Sequence, residues 1–368
     1  MFINTGQLTD VYYPVIDSVS VIVRSYAYWL NRKYGRTMVI TPNIYPYHDN
    51  ESFDVLRHKP NVIPSRLKAY KFDILHAHTP FHAGEIAVKL GKELKRPVVG
   101  SCHVCYYNKL KNKTKLNIII KHKIKKIVSM YNQMDLILTF DEEIADVLKF
   151  YGLKKRVEII EIGSDFIYNE NEKVKDIDYI NHLYNINPEY NVLLYVGKLE
   201  WENNIKYIIE ALGILREMRQ RFRMLFVGEG KAKQDMLKLI EEKRLTNHVI
   251  FVGEITDREI LAKYYSRANL LLSPVPEYSL GLSIREAASL RCPALLFKDS
   301  NHYVKDNFNG YLADKNSLSY AQRIISALND SKKEEVEKAA QQTLGKNYEQ
   351  IIDEIYEFYN ELIKPRNL

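Results

Sequence analysis

Short apolar runs alternate with amphipathic stretches along most of the chain, and this alternation limits the possible folds more than any other feature. An apolar run of roughly four to eight residues followed by a helical pattern is typical of a β-α-β unit with a buried parallel strand. Such runs occur in the first half at 37–41, 72–78, 97–103, 136–140 and 157–163, and in the second half at 191–199, 223–230, 249–254, 269–274 and 293–297. The chain is therefore predicted to be an α/β protein with two doubly wound, Rossmann-like parallel-sheet domains that face a cleft.

The domain boundaries are predicted from length, composition and periodicity. A chain of 368 residues exceeds what one core usually holds, so two domains are expected. The first is assigned to residues 1–168 and the second to residues 191–345. The polar, weakly periodic stretch 169–190 between them is predicted to be a linker. Residues 346–368 carry an apolar stripe at helical spacing and are predicted to form a helix that packs back on the first domain.

Composition argues against a membrane span and narrows the possible partners. No apolar run approaches the roughly 20 residues that cross a bilayer, and the N-terminus lacks the basic and apolar regions of a signal peptide. A cytoplasmic location is therefore expected. The net charge of +7 and the 27 tyrosines suit phosphate-bearing ligands or anionic membranes. Nucleic acid is not expected as a partner, because no nucleic-acid-binding signature accompanies the charge.

Two short motifs invite a metal or redox interpretation. Cys102 and Cys105 form a C-x-x-C pair, which could be a redox motif. The pair could also bind zinc with a histidine from the group His76, His78 and His82. Small buried thiols are the favoured interpretation, because the chain has no second cysteine pair. A D-x-D motif lies in the charged predicted linker rather than at a strand end, so no metal is predicted there either.

The loops that follow strands are the first candidates for chemistry, because ligands bind at the carboxyl ends of strands in doubly wound sheets. Gly197 and Lys198 end one predicted strand, and a lysine there can face a phosphate as a point charge. Gly228 and Gly230 bracket the next strand-to-helix turn, whose free amides suit an anion or a nucleoside. A surface lysine and an ordinary α/β turn are the alternative interpretations, and neither motif is specific by itself.

The stretch PVPEYSLGLSIREAA, residues 274–288, follows another predicted strand. Its Ser279, Gly281 and Leu282 would offer backbone amides at the positive end of a helix, which suits a diphosphate. Glu286 lies about two turns into that helix, where a carboxylate can bind the paired hydroxyls of a ribose. The alternative is a solvated helix face, but the apolar residues after Glu286 indicate a packed one.

The order of these motifs resembles the C-terminal domain of family 4 glycosyltransferases, which are retaining enzymes of the GT-B fold that use nucleotide sugars. The matching order is strand-G-K, strand-GEG, FVGEI, SPVPEYSLGLSIREA and DNFNGYLAD. In the first half, the family's segments are matched by TDVYYPVIDSVSVIVRSYAYWL, FDILHAHTPFHAGEIA, PVVGSCHVCYYN and EIGSDF. The resemblance covers essentially the whole chain. It implies an acceptor-binding first domain and a nucleotide-sugar-binding second domain.

The resemblance also implies roles for particular residues. Lys198 matches the basic residue that holds the donor diphosphate, Glu286 matches the glutamate that holds the ribose hydroxyls, and His103 matches a histidine that contacts the sugar. These three are predicted to be catalytic. The predicted donor-binding residues are Asp17, Ser18, Gly197, Lys198, Asn203, Gly228, Gly230, Glu277, Tyr278, Ser279, Gly281, Leu282 and Glu286. Retaining transfer in this family needs no protein nucleophile, because positioning and charge stabilisation supply the catalysis. The resemblance also implies no metal and no cofactor beyond the nucleotide sugar. A UDP-sugar is the favoured donor.

The chain departs from the family pattern in its donor site. Asn203 replaces a second lysine, and Lys206 lies nearby on a different helix face. Tyr278 occupies the position of the early, sugar-contacting glutamate, and Glu277 is one step away. The family's glycines are replaced at three places, by Ser18, Asn204 and Arg291. A lost lysine removes a charge-assisted contact of roughly 1.5–3 kcal/mol. An active enzyme is the favoured interpretation, and a non-catalytic partner subunit is the alternative.

A lysine-rich stretch at 108–131 bears on the acceptor. Its lysines are Lys109, Lys111, Lys113, Lys115, Lys121, Lys123, Lys125 and Lys126. Apolar residues between them make a basic amphipathic stretch, which favours peripheral contact with an anionic membrane at its inner face; a solvated helix is the alternative. The HAHTPF and GSCH segments most resemble the diacylglycerol glucosyltransferases of the family. Transfer of a hexose to a lipid or membrane-linked acceptor is therefore predicted.

Overall fold

The computed structural model describes residues 2–43, 47–59, 65–114, 116–274, 281–300 and 303–364. Within these ranges, only the backbone is described for Ser65, Arg66, Asn112, Lys113 and Ser300. Backbone contacts divide the chain into two compact units. The first contains Met1–Ile162 together with Tyr348–Leu368, and the second contains Gly163–Asn347.

Strands and helices alternate in both units. The first unit has β1 (Thr5–Leu8), α1 (Ser18–Lys33), β2 (Thr37–Pro42), β3 (Asp54–His58), β4 (Ile74–Ala77), α2 (His82–Leu94), β5 (Val98–Cys102), α3 (Tyr106–Lys113), α4 (Asn117–Tyr131), β6 (Leu136–Thr139), α5 (Glu142–Phe150) and β7 (Arg156–Ile159). The second unit has α6 (Glu170–Tyr184), β8 (Asn191–Val196), α7 (Ile205–Glu217), β9 (Phe222–Val227), α8 (Lys233–Glu242), β10 (Val249–Gly253), α9 (Arg258–Arg267), β11 (Leu270–Leu272), α10 (Leu282–Ser289), β12 (Ala294–Phe297), β13 (Tyr311–Ala313), α11 (Ser317–Leu328) and α12 (Lys333–Leu344). The chain then returns to the first unit with α13 (Tyr348–Ile363).

The strands of the first unit form a parallel sheet in the order β3-β2-β1-β4-β5-β6-β7. The strand order reverses between β1 and β4, so the switch point of the sheet lies between these two strands. Both strands are short and completely buried, and they pair in register from Thr5 with Ile74 to Leu8 with Ala77. Such burial is expected, because helices cover both faces of a parallel sheet.

The C-terminal helix α13 packs on α1 within the first unit. Tyr356 stacks on Tyr34 at a ring-centroid distance of 3.6 Å, and the Asp353 carboxylate accepts a hydrogen bond from Lys33 at 2.5 Å. Tyr359, one turn further along, is fully buried. The apolar stripe of the predicted C-terminal helix is therefore the face that packs into the first unit.

The second unit repeats the architecture with a parallel sheet in the order β10-β9-β8-β11-β12-β13. Its switch point lies between β8 and β11. Successive side chains of a strand point to opposite faces, and β8 shows this clearly. Leu193 and Tyr195 enter one apolar core, and Val192 and Leu194 enter the core on the other side of the sheet.

The structure confirms the α/β class and the two Rossmann-like parallel sheets, and each apolar run singled out in the sequence corresponds to a strand. Three strands were missed, namely β1, β3 and β13. The sequence of β1 is TGQL, and its polar Thr5 and Gln7 are buried. These polar side chains interrupt the apolar pattern by which the other strands were recognised.

The segment predicted to be a linker, 169–190, instead belongs to the second unit and contains helix α6. The Asn169 side chain caps this helix by accepting hydrogen bonds from the amides of Asn171 and Glu172. The helix packs on α9, but Asp176 and Ile180 are its only buried residues, and this hid its periodicity. In the described part of the chain, no helix combines the length and the apolar character needed to cross a bilayer.

Candidate functional site

The switch points of the two sheets are where ligand-binding loops gather in α/β folds. In the first unit, His78 directly follows β4, and His103 follows the neighbouring strand β5. In the second unit, Lys198 follows β8, and Ser273 follows β11. The predicted His103 and Lys198 therefore both lie at the carboxyl ends of central strands, each in its own unit.

His103 lies inside the first unit against two other rings. The residue is 1% exposed, and its ring centroid lies 5.3 Å from that of His78 and 5.1 Å from that of Phe140. Its Nε2 lies 3.1 Å from Nδ1 of His78, while its own Nδ1 has no hydrogen-bond partner among the described residues. Because buried polar atoms are rarely left without a partner, this nitrogen is a candidate for contact with a ligand.

A second imidazole extends this network across the sheet. His76 Nδ1 lies 2.6 Å from the Tyr359 hydroxyl, and His76 Nε2 lies 2.7 Å from the Ser101 hydroxyl. Gln7 joins the two branches, because its Oε1 lies 2.8 Å from His78 Nε2 and its Nε2 donates to Tyr359 at 3.4 Å. The sequence reasoning missed Gln7 and Tyr359. The H-x-H spacing on β4 was the available signal, since residues two apart on a strand share a face.

The histidines of this network are neutral at physiological pH. Burial lowers the pKa of His76 and of His103 to about 3. The neighbouring imidazole of His103 makes a smaller contribution to the pKa shift of His76. The same causes lower the pKa of His78 well below its usual value. Desolvation acts in this direction because it disfavours the charged imidazolium. Each ring therefore offers one N–H donor and one nitrogen acceptor.

Asp17 and Ser18, predicted to bind the donor, lie at the start of α1. The Asp17 carboxylate accepts a hydrogen bond from the amide of Ser20 at 2.8 Å, and the Ser20 hydroxyl accepts one from the amide of Asp17 at 2.9 Å. This reciprocal pair is a capping box, which stabilises the first helical turn. The structure thus gives Asp17 a helix-capping function, while donor binding by Asp17 and Ser18 stays a prediction.

Lys198 is exposed in a loop that two side-chain hydrogen bonds to its backbone hold in place. Its backbone carbonyl accepts hydrogen bonds from the Tyr195 hydroxyl at 2.9 Å and from the Asn203 side chain at 2.8 Å. Asn203, the replacement for the family's second lysine, therefore stabilises the loop and offers no positive charge. Lys206 does not compensate, because it lies 3.7 Å from Glu210 one helical turn away.

Gly228 and Gly230 allow the loop after β9 to approach the loop after β8. A Cβ atom on Gly228 would lie 2.1 Å from the carbonyl oxygen of Gly197, and one on Gly230 would lie 2.2 Å from that of Leu199. Two backbone hydrogen bonds of 3.0 Å join the loops. The Gly197 amide donates to the Val227 carbonyl, and the Leu199 amide donates to the Glu229 carbonyl. The structure therefore assigns these glycines a packing function beside Lys198, and their contact with a donor stays a prediction.

Helix α10 begins in the stretch that was predicted to hold the donor diphosphate. Gly281 caps it with a φ of 63°, and Leu282 is its first residue. The left-handed φ favours glycine here, and a Cβ atom at this position would lie 2.4 Å from the Tyr303 hydroxyl oxygen, so the Tyr303 side chain would have to shift. The other predicted residues of this turn, Glu277, Tyr278 and Ser279, lie outside the described residues.

Glu286 lies inside the second unit, with 3% of its side chain exposed. Its Oε1 accepts a hydrogen bond from Arg258 at 2.5 Å, and its Oε2 accepts one from the Tyr265 hydroxyl at 2.7 Å. Burial, together with the adjacent carboxylate, raises the pKa of Tyr265, which keeps its hydroxyl protonated as a donor. These contacts orient Glu286, and each carboxylate oxygen retains a lone pair for a further donor.

Arg258 is a residue of this cluster that the sequence reasoning missed. Its guanidinium group lies 4.5 Å from the ring centroid of Phe166 and 3.9 Å from the Asp165 carboxylate, in addition to its bond to Glu286. A cavity of about 450 Å³ opens beside it, lined also by residues of α6 and α9. No motif in the sequence links Arg258 to Glu286, because the pair joins helices 28 residues apart in the chain.

The lysine-rich stretch forms α3 and α4 in the first unit. Ile120, Ile124, Ile127 and Val128 form the buried stripe of α4, and its lysines lie on the remaining surface. The exposed lysines are Lys109, Lys111, Lys121, Lys123, Lys125 and Lys126; Lys115 and the side chain of Lys113 lie outside the described residues. At the start of α4, Leu116 and Ile118 are 62% and 85% exposed. A basic surface with exposed apolar residues is therefore present.

The two motifs that invited a metal interpretation have structural roles. Cys102 and Cys105 are buried free thiols, and burial raises the pKa of Cys102 to about 12. A protonated, buried thiol is a poor nucleophile, so the favoured interpretation of small buried thiols agrees with the structure. Asp176 of the D-x-D motif accepts a hydrogen bond from Lys263 at 2.9 Å.

Comparison with known proteins first defines the class. The structure of HepE from Anabaena in complex with UDP and glucose superposes with a TM-score of 0.78, covering 98% of this chain and 100% of that chain at 17% identity. The shared architecture is the GT-B fold of glycosyltransferases, with two Rossmann-like parallel-sheet domains.

The sequence comparisons define the family. The family model for glycosyl transferases group 1 matches residues 178–343, and the model for glycosyltransferase family 4 matches residues 18–166. Alpha-monoglucosyldiacylglycerol synthases are among the relatives. The one from Streptococcus pneumoniae is 22% identical over 83% of this chain and 74% of its own length. The one from Acholeplasma laidlawii is 23% identical over 84% of this chain and 85% of its own length. The chain belongs to the family 4 glycosyltransferases, and the predicted enzyme class is confirmed.

The packing function of Gly230 predicts a local loss of stability in the variant Gly230→Ala. The new methyl group would overlap the Leu199 carbonyl oxygen, and forced repacking of this kind costs about 1–3 kcal/mol. Thermal unfolding of the second unit can be followed by Trp201 fluorescence in a Trp29→Phe background, because the chain has one tryptophan in each unit. A lower Tm is expected.

Gly213→Ala is the matched control for this variant. Gly213 lies within α7, where a Cβ atom would approach no closer than 3.5 Å, to the flexible side chain of Lys243. Alanine in a helix interior is favoured over glycine by roughly 0.5–1 kcal/mol, so an unchanged or higher Tm is expected. Equal effects of the two substitutions would contradict the packing function assigned to Gly230.

The buried imidazoles predict that the first unit loses stability in mild acid. A histidine whose folded-state pKa is depressed contributes no penalty above its unfolded pKa of about 6.5, and its penalty grows as pH falls from there toward about 3. In this pH window, each such histidine lowers the free energy of unfolding by up to about 1.4 kcal/mol for each unit by which the pH falls. Urea unfolding between pH 7 and pH 5, followed by Trp29 fluorescence in a Trp201→Phe background, measures the slope.

His103→Gln tests the assignment of this slope, because it removes one buried titrating group. The dependence of unfolding free energy on pH should become shallower by as much as about 1.4 kcal/mol per pH unit. The control is His122→Gln, since His122 is exposed on α4. If His103→Gln and His122→Gln change the slope equally, the acid sensitivity does not arise from the buried network.

Proposed function

We propose that the protein transfers a hexose, with retention of configuration, from a UDP-sugar to a hydroxyl group of a lipid or membrane-linked acceptor. The observation that carries the donor half is the placement of Lys198, exposed after β8 at the switch point of the second sheet. Support also comes from HepE, which binds UDP in its crystal structure, and from relatives named alpha-monoglucosyldiacylglycerol synthases.

The donor half assigns Lys198, Glu286 and His103 separate tasks. Lys198 binds the diphosphate; no carboxylate pairs with it within the described ranges, so its charge is available. Glu286 binds the ribose hydroxyls through the lone pairs that Arg258 and Tyr265 leave unused. His103 binds the transferred sugar through its unpartnered Nδ1. The residues 275–280 would complete the diphosphate site.

The transfer itself needs positioning and charge stabilisation more than covalent help from the protein. The bond between the anomeric carbon and the diphosphate oxygen breaks, and the acceptor oxygen forms its bond on the same face of the sugar. The acceptor's proton passes to the departing diphosphate. Lys198 stabilises the negative charge that develops on that leaving group, and preorganised charges of this kind are usually the largest catalytic contribution.

The acceptor half rests on the surface of α3 and α4. No acidic residue occurs in the stretch 108–131, and no ion pair neutralises Lys121, Lys123, Lys125 or Lys126 in the part of the chain that the structure describes. Uncompensated lysines attract anionic lipids, and exposed apolar side chains such as Ile118 can enter the headgroup region. An anionic membrane surface is therefore the proposed docking partner, and it would hold a lipid acceptor beside the first unit.

Asn203→Lys is predicted to strengthen donor binding. The substitution restores the family's second basic residue near Lys198 and adds a charge-assisted contact of roughly 1.5–3 kcal/mol. The dissociation constant for UDP, measured by calorimetry, should therefore fall about tenfold or more. Lys198→Ala should raise it by a similar factor.

Asn247→Lys is the matched control, because it adds the same charge at an exposed position before β10, at the amino end of the strand. It should leave UDP affinity unchanged. Equal gains from both lysines would indicate only a general charge effect. Absence of UDP and UDP-sugar binding in the native protein would contradict the donor proposal and favour the alternative of a non-catalytic partner subunit.

Charge reversal on α4 is predicted to weaken vesicle binding. Each lysine near an anionic surface contributes about 1 kcal/mol, so Lys121→Glu combined with Lys125→Glu should cost at least about 2 kcal/mol. Sedimentation with phosphatidylglycerol vesicles should then show roughly thirty-fold weaker partitioning. The native interaction should also weaken as salt is added.

The control for this variant reverses two exposed lysines of α2, Lys89→Glu with Lys92→Glu. This pair changes the net charge of the chain by the same amount in the same unit. Vesicle binding should remain close to native. If both double variants lose binding equally, net charge rather than the α4 surface controls association.

A further inference from the structure

A continuous set of hydrogen bonds connects Gln7 on β1 to His103 after β5. The Gln7 side-chain carbonyl Oε1 lies 2.8 Å from His78 Nε2. A carbonyl oxygen only accepts hydrogen bonds, so the proton of this bond belongs to His78 Nε2. A neutral imidazole carries one N–H, which leaves His78 Nδ1 as an acceptor.

The same reasoning fixes the proton on the next ring. His78 Nδ1 lies 3.1 Å from His103 Nε2, and an acceptor on one side requires a donor on the other. His103 therefore carries its proton on Nε2. Its Nδ1 is left as a bare lone pair, and this nitrogen is one of the buried side-chain atoms that have no hydrogen-bond partner among the described residues.

The orientation of the Gln7 amide is supported by the second branch of the network. The Gln7 Nε2 group donates to the Tyr359 hydroxyl, and that hydroxyl can then donate to His76 Nδ1 at 2.6 Å. His76 completes the branch by donating from Nε2 to the Ser101 hydroxyl at 2.7 Å. Each ring nitrogen of His76 and His78 then has one complementary partner, so the tautomers are consistent with this amide orientation.

The His103 ring has little freedom to escape this arrangement. It is nearly parallel to the ring of Phe140 and contacts His78 edge to edge through Nε2, and the residue is 1% exposed. Rotation of the ring would break the bond to His78 and place a second unsatisfied atom in a buried space. The lone pair on Nδ1 is therefore fixed before any ligand arrives.

We infer that Gln7 and His78 are positioning residues that hold His103 in its Nε2–H tautomer, so that Nδ1 accepts a hydrogen bond from a hydroxyl group of the transferred sugar. The tautomer follows from the orientation of the Gln7 amide in the structure, while the identity of the ligand rests on the proposed function. A buried acceptor that requires a donor also selects between substrates. A sugar that lacks the matching hydroxyl, or carries fluorine there, would leave the lone pair unpaired and be rejected.

The tautomer can be measured in the full-length protein without any substrate. Nitrogen-15 NMR of protein labelled at histidine distinguishes a protonated ring nitrogen from a bare one, and His103→Gln assigns the signals. The expected spectrum shows His103 with a bare Nδ1 and a protonated Nε2. A protonated Nδ1 in the native protein would overturn the inference, whatever the enzyme's substrate is.

Two substitutions at Gln7 separate positioning from general support of the fold. Gln7→Glu keeps an acceptor for His78 and should preserve the tautomer, whereas Gln7→Leu removes it and should give His103 a mixture of tautomers. A native-like His103 signal in Gln7→Leu would count against a positioning role for Gln7. If either variant fails to fold, the native spectrum still decides the tautomer.

The ligand half is tested by kinetics with UDP-sugars and their monodeoxy analogues. The native enzyme should lose at least tenfold in kcat/KM for one deoxy position, and Gln7→Leu should lose most of that discrimination. Equal kcat/KM for all analogues would refute the sugar contact at Nδ1. Absence of turnover with every UDP-sugar would instead refute the proposed function and leave the measured tautomer standing.

Discussion

The pairing of β1 with β4 is the interaction on which the chemistry of the first unit depends. Its register places Gln7 directly beside His76, and His78 lies two residues further on the same face. A slip of one residue would turn the Gln7 side chain to the opposite face and break both branches of the network. The buried imidazoles are therefore a consequence of sheet register, which the apolar residues around them hold in place.

The second unit builds its site by a different physical means, the close approach of two backbones. Glycines at 228 and 230 let the loop after β9 lie against the loop after β8, where any Cβ atom would collide. Asn203 and Tyr195 hold the same loop from the other side through the Lys198 carbonyl. The lysine is thus supported entirely by uncharged contacts. Its loop can keep its shape although a neighbouring charge has been lost.

The sequence revealed most of the fold because parallel strands are buried on both faces and appear as apolar runs. It failed at β1, where Thr5 and Gln7 replace apolar residues, and Gln7 serves the histidine network. It could propose His103, Lys198 and Glu286 as site residues by resemblance, but it could not indicate which side chains contact them. Tyr359 meets Gln7 across 352 residues, and no linear pattern records such a pair. The glycine positions show the same limit, because Asn204 and Arg291 retain left-handed φ values of 58° and 56° without glycine.

The Lys198 loop is held by hydrogen bonds although Asn203 stands in place of the family's second lysine, and this affects how the proposed donor site would work. The diphosphate is already negative in the bound donor and gains further charge as the glycosidic bond breaks. In the proposed function, a missing lysine near Lys198 would weaken donor binding in the ground state and in the transition state together, so that part of the loss would fall on KM. The hydrogen-bond network of the first unit is neutral and contains no group proposed to bind the diphosphate. The proposed contact between His103 and the sugar would therefore not depend on this lysine.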